Sequence, residues 1–79
     1  MITVRLFAAA AEAAGTARAQ VPAATLGELR AHLVAAHGSE LGRVLERCSL
    51  LADGVRLSDD AAPLAAGGTV DVLPPFAGG

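Results

Sequence analysis

The last six residues, Pro74-Pro75-Phe76-Ala77-Gly78-Gly79, are the stretch of this sequence where residue type and order together suggest chemistry. Two prolines fix their φ angles at about −65° and favour an extended chain. Gly78 and Gly79 carry no side chains. A chain ending this way presents a bare carboxylate on a thin thread, which can enter a channel where any Cβ would clash. In that reading the Gly79 carboxylate is itself the reacting group. Glycine is also common at ends that merely fray, and the residues alone leave both readings open.

The other candidates point to bland roles. His32 and His37 are five residues apart. On a helix that puts them on different faces, whereas helical metal ligands need a spacing of three or four; no metal site is expected. Cys48 is the single cysteine. It has no CxxC partner and no nearby His, so it reads as a small buried hydrophobe rather than a nucleophile. Asp59-Asp60 reads as a solvated loop pair. Gly67-Gly68 lacks the Lys and the following helix of a phosphate-binding loop and reads as a turn. No Ser-His-Asp arrangement can be argued, which disfavours a stand-alone enzyme.

The composition agrees. Seventy-nine residues make one domain, 1–79, with 22 larger apolar side chains for a core and no room for a large internal pocket. The formal net charge is −2, and all six basic residues are Arg with no basic stripe, so nucleic acid is a poor partner. No apolar run approaches the roughly 18 residues of a membrane span, and Met1-Ile2-Thr3-Val4-Arg5 lacks the pattern of a signal peptide. A cytoplasmic protein is expected.

The elements that must position the tail follow from periodicity. Ile2, Val4 and Leu6 alternate with Thr3, Arg5 and Phe7, a half-buried strand. Phe7 then falls on the face opposite Ile2, Val4 and Leu6, where an aromatic suggests an interface. Ala8 to Ala14 predicts a helix of about two turns ending at Gly15. Thr16 to Val21 predicts a weaker edge strand closed by Pro22. Thr25 to His37 predicts the main helix, with Thr25 and Glu28 as a capping box, Leu26, Leu29, Leu33 and Ala36 as its apolar stripe, and Gly38 as its stop. Gly27 should weaken its first turn by about 1 kcal/mol. Ser39 to Arg47 predicts a shorter helix capped by Ser39. Ser49 to Ala52 and Val55 to Leu57 predict a hairpin turning at Asp53-Gly54. Ser58 to Gly68 reads as loop, and Thr69 to Leu73 as the last strand. The order is that of an α+β roll, a sheet packed on one main helix. The regular alternation of the first and last strands suits central positions.

Three segments resemble the ubiquitin-like sulfur carriers, the MoaD/ThiS family, and within it most closely the molybdopterin synthase small subunits. Phe7-Ala8 followed by Glu12 and Gly15 resembles the segment after that family's first strand. Pro63-Leu64 followed by Gly67 resembles the turn before its last strand. Pro74-Pro75-Phe76-Ala77-Gly78-Gly79 resembles its ending. The sequence departs from the pattern at Ala11, where Arg is frequent, at Gly68, where Asp is common, and at the Asp53-Gly54 turn.

The resemblance implies a ubiquitin-like β-grasp fold, a mixed sheet on one main helix with 74–79 as an extended tail. It implies that an adenylating enzyme uses ATP to activate Gly79, with Gly78 giving the tail its slenderness, and that a thiocarboxylate results. No cofactor would be bound permanently. The thiocarboxylate would donate sulfur to cyclic pyranopterin monophosphate within a heterotetramer with the large subunit of molybdopterin synthase, making this chain a sulfur-donor subunit rather than a catalyst. Leu57, Leu73, Pro75 and Phe76 match partner-binding positions, alongside Phe7; Leu57 and Leu73 could equally be core. Two alternatives stay open: a sulfur carrier for thiamine thiazole or cysteine synthesis, and a ubiquitin-like binding or conjugating module.

Overall fold

A computed structural model describes residues 1–75. The expectations placed on Phe76, Gly78 and Gly79 lie outside the described residues. The elements are β1 (Ile2–Leu6), α1 (Ala9–Ala14), β2 (Arg18–Val21), α2 (Leu26–His37), α3 (Ser39–Leu45), β3 (Ser49–Ala52), β4 (Val55–Leu57) and β5 (Thr69–Leu73). The strands form one sheet in the order β2-β1-β5-β3-β4. β1 and β5 are parallel neighbours, and the other pairs are antiparallel. The first and last strands are thus paired and internal, while β2 is an edge, as the alternation and the closing Pro22 predict.

The alternation sorts the residues onto two faces. Leu6, Val72, Leu50 and Leu57 lie in one row across the inner face. Ala19, Val4, Val70, Ala52 and Val55 form the next. Against this face pack Leu26, Leu29 and Leu33 of α2 and Leu41 and Leu45 of α3, all buried. Burying side chains of this size removes them from water at a gain of about 1.5–3 kcal/mol each.

Local chemistry sets the element ends. Thr25 caps α2 by accepting from the Glu28 N–H at 3.2 Å, while the Glu28 carboxylate accepts from the Ala24 N–H at 2.9 Å, one residue earlier than a standard capping box. Gly15 ends α1 at φ 74°, the left-handed position expected of it. Asp53 and Gly54 turn the β3–β4 hairpin at φ 47° and 85°, both positive as a type I′ turn requires.

Four expectations are corrected. Ser39 does not cap α3: it is the first helical residue, Gly38 precedes it as cap, and no side-chain capping bond forms. Ala36 is exposed; Val34 and His37 are the half-buried residues beyond Leu33, because a 3.6-residue turn carries the stripe around the helix. β2 begins at Arg18 because the Thr16 hydroxyl accepts from the Arg18 N–H at 3.3 Å and holds a local turn. Gly27 is more than a weak helix former. A Cβ there would lie 3.1 Å from the Asp60 Cβ and 3.2 Å from the Asp60 carbonyl oxygen. The bare position lets the loop 58–62 close on α2, where the N–H groups of Leu26 and Gly27 donate to the carbonyls of Ala62 and Asp60 at 3.0 and 2.9 Å. Those are two of the donors that a helix start leaves unpaired.

Candidate functional site: the tail root and the outer sheet face

The C-terminal run leaves the fold from β5, the middle strand of the sheet. Pro74 is buried and Pro75 exposed. Each proline ring locks its own φ. Pro74 and Pro75 also form one wall of a shallow groove of about 360 Å³, whose other lining is Glu40, Arg43, Val44, Glu46 and Arg47 of α3 and its end. The sequence reading did not find this groove. Arg43, Glu46 and Arg47 do recur at helical spacing, but nothing in the sequence places them beside the prolines.

The outer face of the sheet flanks the same exit. Leu73 continues the outward series Thr69, Asp71, Leu73 and is half-buried, opposite Ser49 of β3. Phe7 follows β1 on the same side, 39% exposed. Its N–H donates to the Val72 carbonyl at 3.2 Å, which brings it alongside the end of β5. Leu57 lies elsewhere. It is opposite Leu50 on the inner face and packs against the core. The tail exit thus has Phe7, Leu73 and Pro75 near it, with Leu57 on the far side of the sheet.

The turn that aims Phe7 is strained. Ala8 adopts φ 51°, ψ −124°, and the Ala10 N–H donates back to the Phe7 carbonyl at 3.0 Å. This is the first central position of a type II′ turn, which glycine normally occupies. The alanine there costs about 1–3 kcal/mol.

Two departures from the family pattern meet in space. The Asp53 carboxylate accepts from the Thr69 N–H at 3.0 Å, at the start of β5. A Cβ on Gly68 would lie 2.7 Å from Asp53 Oδ2 and 2.9 Å from the Ala65 carbonyl oxygen. The hairpin carboxylate therefore occupies the space a side chain at 68 would need.

On the outer face Arg5 grips Asp71 in a two-point pair, Nε to Oδ1 at 2.6 Å and an Nη to Oδ2 at 2.7 Å. This hydrogen bonding and the charge of Asp71 raise the Arg5 pKa further above its ordinary value. The Cys48 thiol is half-buried and donates to the Val44 carbonyl at 3.1 Å. Burial pushes its pKa up, with the charge of Arg30 pulling the other way, so the reactive thiolate is disfavoured. Asp59 accepts from the Ala61 N–H at 2.9 Å, and Asp60 accepts from Arg30 at 3.1 Å; both carboxylates shape the loop. His32 is exposed and His37 half-buried. Among the described residues no group of three or more His, Cys, Asp or Glu is placed to hold a metal ion, and no helix is long and apolar enough to cross a membrane.

A mixed five-stranded sheet wrapped on one main helix, with the C-terminal run leaving its middle strand, is the ubiquitin-like β-grasp. The chain belongs to the ThiS family, whose pattern it matches over residues 4–79. It is a ubiquitin-like sulfur carrier or modifier of that family. SAMP1 from Haloferax volcanii is 30% identical, with 99% of this chain and 98% of that one covered at a TM-score of 0.83. The complex of subunits 1 and 2 of molybdopterin-converting factor from Helicobacter pylori contains a chain 27% identical, covering 99% and 97%, at a TM-score of 0.74. The small archaeal modifier protein 1 from Methanosarcina acetivorans is 22% identical over 99% and 95%, at a TM-score of 0.84, and shares the fold. No curated protein matches the sequence.

Proposed function

We propose that this protein carries sulfur on its C-terminus as the small subunit of a molybdopterin synthase. The observation that carries the reading is the tail: Pro74 and Pro75 at the end of the middle strand, then Phe76-Ala77-Gly78-Gly79. An adenylating enzyme would bind the domain and draw in the tail. The Gly79 carboxylate then attacks the α-phosphate of ATP, and pyrophosphate leaves. A persulfide sulfur from a partner displaces AMP from the acyl carbon to give an acyl disulfide. A partner thiol then attacks the partner-side sulfur of that bond, forming a protein disulfide and releasing the thiocarboxylate. The large subunit of molybdopterin synthase next receives the tail, and the thiocarboxylate sulfur attacks cyclic pyranopterin monophosphate. The Helicobacter pylori relative, solved with subunit 2 of its converting factor, supports a large-subunit partner.

This chain would supply no general acid or base. Its share is position. The domain docks, the prolines aim the tail, and the side-chain-free end reaches the reacting centre in a fixed orientation. Phe7, Leu73, Pro75 and Phe76 would be the contacts to the partners, and Leu57 would support them from the core side.

A second reading is that of a ubiquitin-like modifier, favoured by the 30% identity to SAMP1. The same activated carboxyl would then acylate a target amine. The chain has no Lys, so its own side chains offer no such amine. Intact mass after incubation with ATP, the same cell's activating enzyme and a persulfide donor separates the two. A gain equal to one oxygen replaced by sulfur, absent when Gly79 is deleted, supports the carrier. Conversion of cyclic pyranopterin monophosphate on adding the large subunit then supports the pathway. Adenylation without sulfur gain, accompanied by adducts to target proteins, would replace it with the modifier.

A further inference from the structure

The strand registers align five outer-face residues in one row across the whole sheet. Arg18 lies opposite Arg5, Arg5 beside Asp71, Asp71 opposite Leu51, and Leu51 opposite Arg56. At about 4.8 Å between strands, the row is about 19 Å long. Like charges directly opposed across two strands destabilise a sheet, yet Arg5 and Arg18 face one another in this way. Asp71 satisfies Arg5 alone. Arg18 and Arg56 are exposed and make no ion pair among the described residues.

The row therefore holds three positive charges and one negative, on a chain of net charge −2. The rest of the sequence has three arginines and seven acids, a net −4. The molecule is polarised, with its positive side on the sheet face beside the tail exit. Neither Arg18 nor Arg56 has an acidic partner among the described residues.

Next to this row, toward the exit, sit Phe7 and Leu73. An apolar patch flanked by two unpaired guanidinium groups fits a protein surface with an apolar centre and acidic flanks.

We propose that the enzymes that take this tail present such an acidic surface, and that Arg18 and Arg56 steer the encounter and set the register in which the tail enters. The proposal rests on the carrier reading and names the partner chemistry that the reading lacks. A nucleic acid is the other polyanion to consider, but it would have to approach a molecule whose remaining surface carries net −4.

The test is stopped-flow association of the full chain with the same organism's adenylating enzyme and, separately, its molybdopterin synthase large subunit, across a range of NaCl. The variants are Arg18→Gln, Arg56→Gln, the double variant, and Arg30→Gln on α2 as a control for net charge. Melting by circular dichroism confirms that each variant is folded. At low salt the double variant should associate about tenfold more slowly, while its dissociation changes less than about twofold. The difference should vanish at high salt, where surface charges are screened. Arg30→Gln should stay within about twofold of the unaltered chain.

Association that ignores salt, or that slows equally in Arg30→Gln, overturns the proposal while sulfur gain in the mass assay leaves the carrier reading standing. Binding to a duplex oligonucleotide that is lost in the double variant, with enzyme association unchanged, also overturns it. No association of the unaltered chain and no sulfur gain would sink both.

Discussion

Truncating Phe7 tests its proposed role as a partner contact separately from its packing in the fold. In the free protein Phe7 is 39% exposed. A fully covered Phe buries about 200 Å², so about 80 Å² remains for a partner to cover. At about 25 cal/mol per Å² that is about 2 kcal/mol, or about 30-fold in Kd. The covered remainder, about 120 Å², contributes up to about 3 kcal/mol to the fold, an upper bound because unfolded chains already bury some surface. Phe7→Ala should therefore melt well below the unaltered chain as well as bind more weakly. Titration calorimetry against the molybdopterin synthase large subunit gives the apparent Kd, and the folded fraction from circular dichroism at the same temperature corrects it. A corrected Kd within about twofold of the unaltered chain would refute Phe7 as a contact. An unchanged melting temperature would refute the packing argument, whatever the binding shows.

Two further outcomes concern the turns that frame the site. Ala8→Gly should stabilise the domain by about 1 kcal/mol, since relief of about 1–3 kcal/mol of strain outweighs glycine's extra entropy of about 0.5–1 kcal/mol; the melting temperature should rise by about 4–8 °C, and a fall would show that the φ of 51° is not costly. Gly68→Ala should cost at least about 1–3 kcal/mol, because the new Cβ drives the Asp53 carboxylate off the Thr69 N–H and also crowds the Ala65 carbonyl oxygen. Asp53→Ala should then cost less in the Gly68→Ala background than alone, and strictly additive losses in a urea-denaturation cycle would contradict the shared space.

Much of the scaffold was legible because its signals are local. The alternation of Ile2, Val4 and Leu6, the Thr25 and Glu28 cap, and the Asp53-Gly54 turn each depend on residues a few positions apart. Their structures follow from periodicity, capping bonds and allowed φ. Where the local signal was ambiguous, the reading slipped. Gly38 and Ser39 both suit a helix cap, and the chain's path out of α2 gave the position to Gly38. Gly27 looked like a weakness because its reason lies at Asp60, 33 residues away.

The sequence by itself determined the backbone bias of the Pro74-Pro75 pair that follows the last strand, since each ring locks its own φ with no help from a partner. It also determined which residues of a strand share a face, because side chains alternate with a period of two. What it could not contain was register across strands distant in sequence. Only the tertiary structure set Arg5 against Asp71, put Leu57 on the core side and Leu73 on the outer face, brought Asp53 into the space above Gly68, and laid α3 beside Pro74 and Pro75. Those juxtapositions come from closing a sheet over one shared core, a global condition that no short stretch of chain can encode.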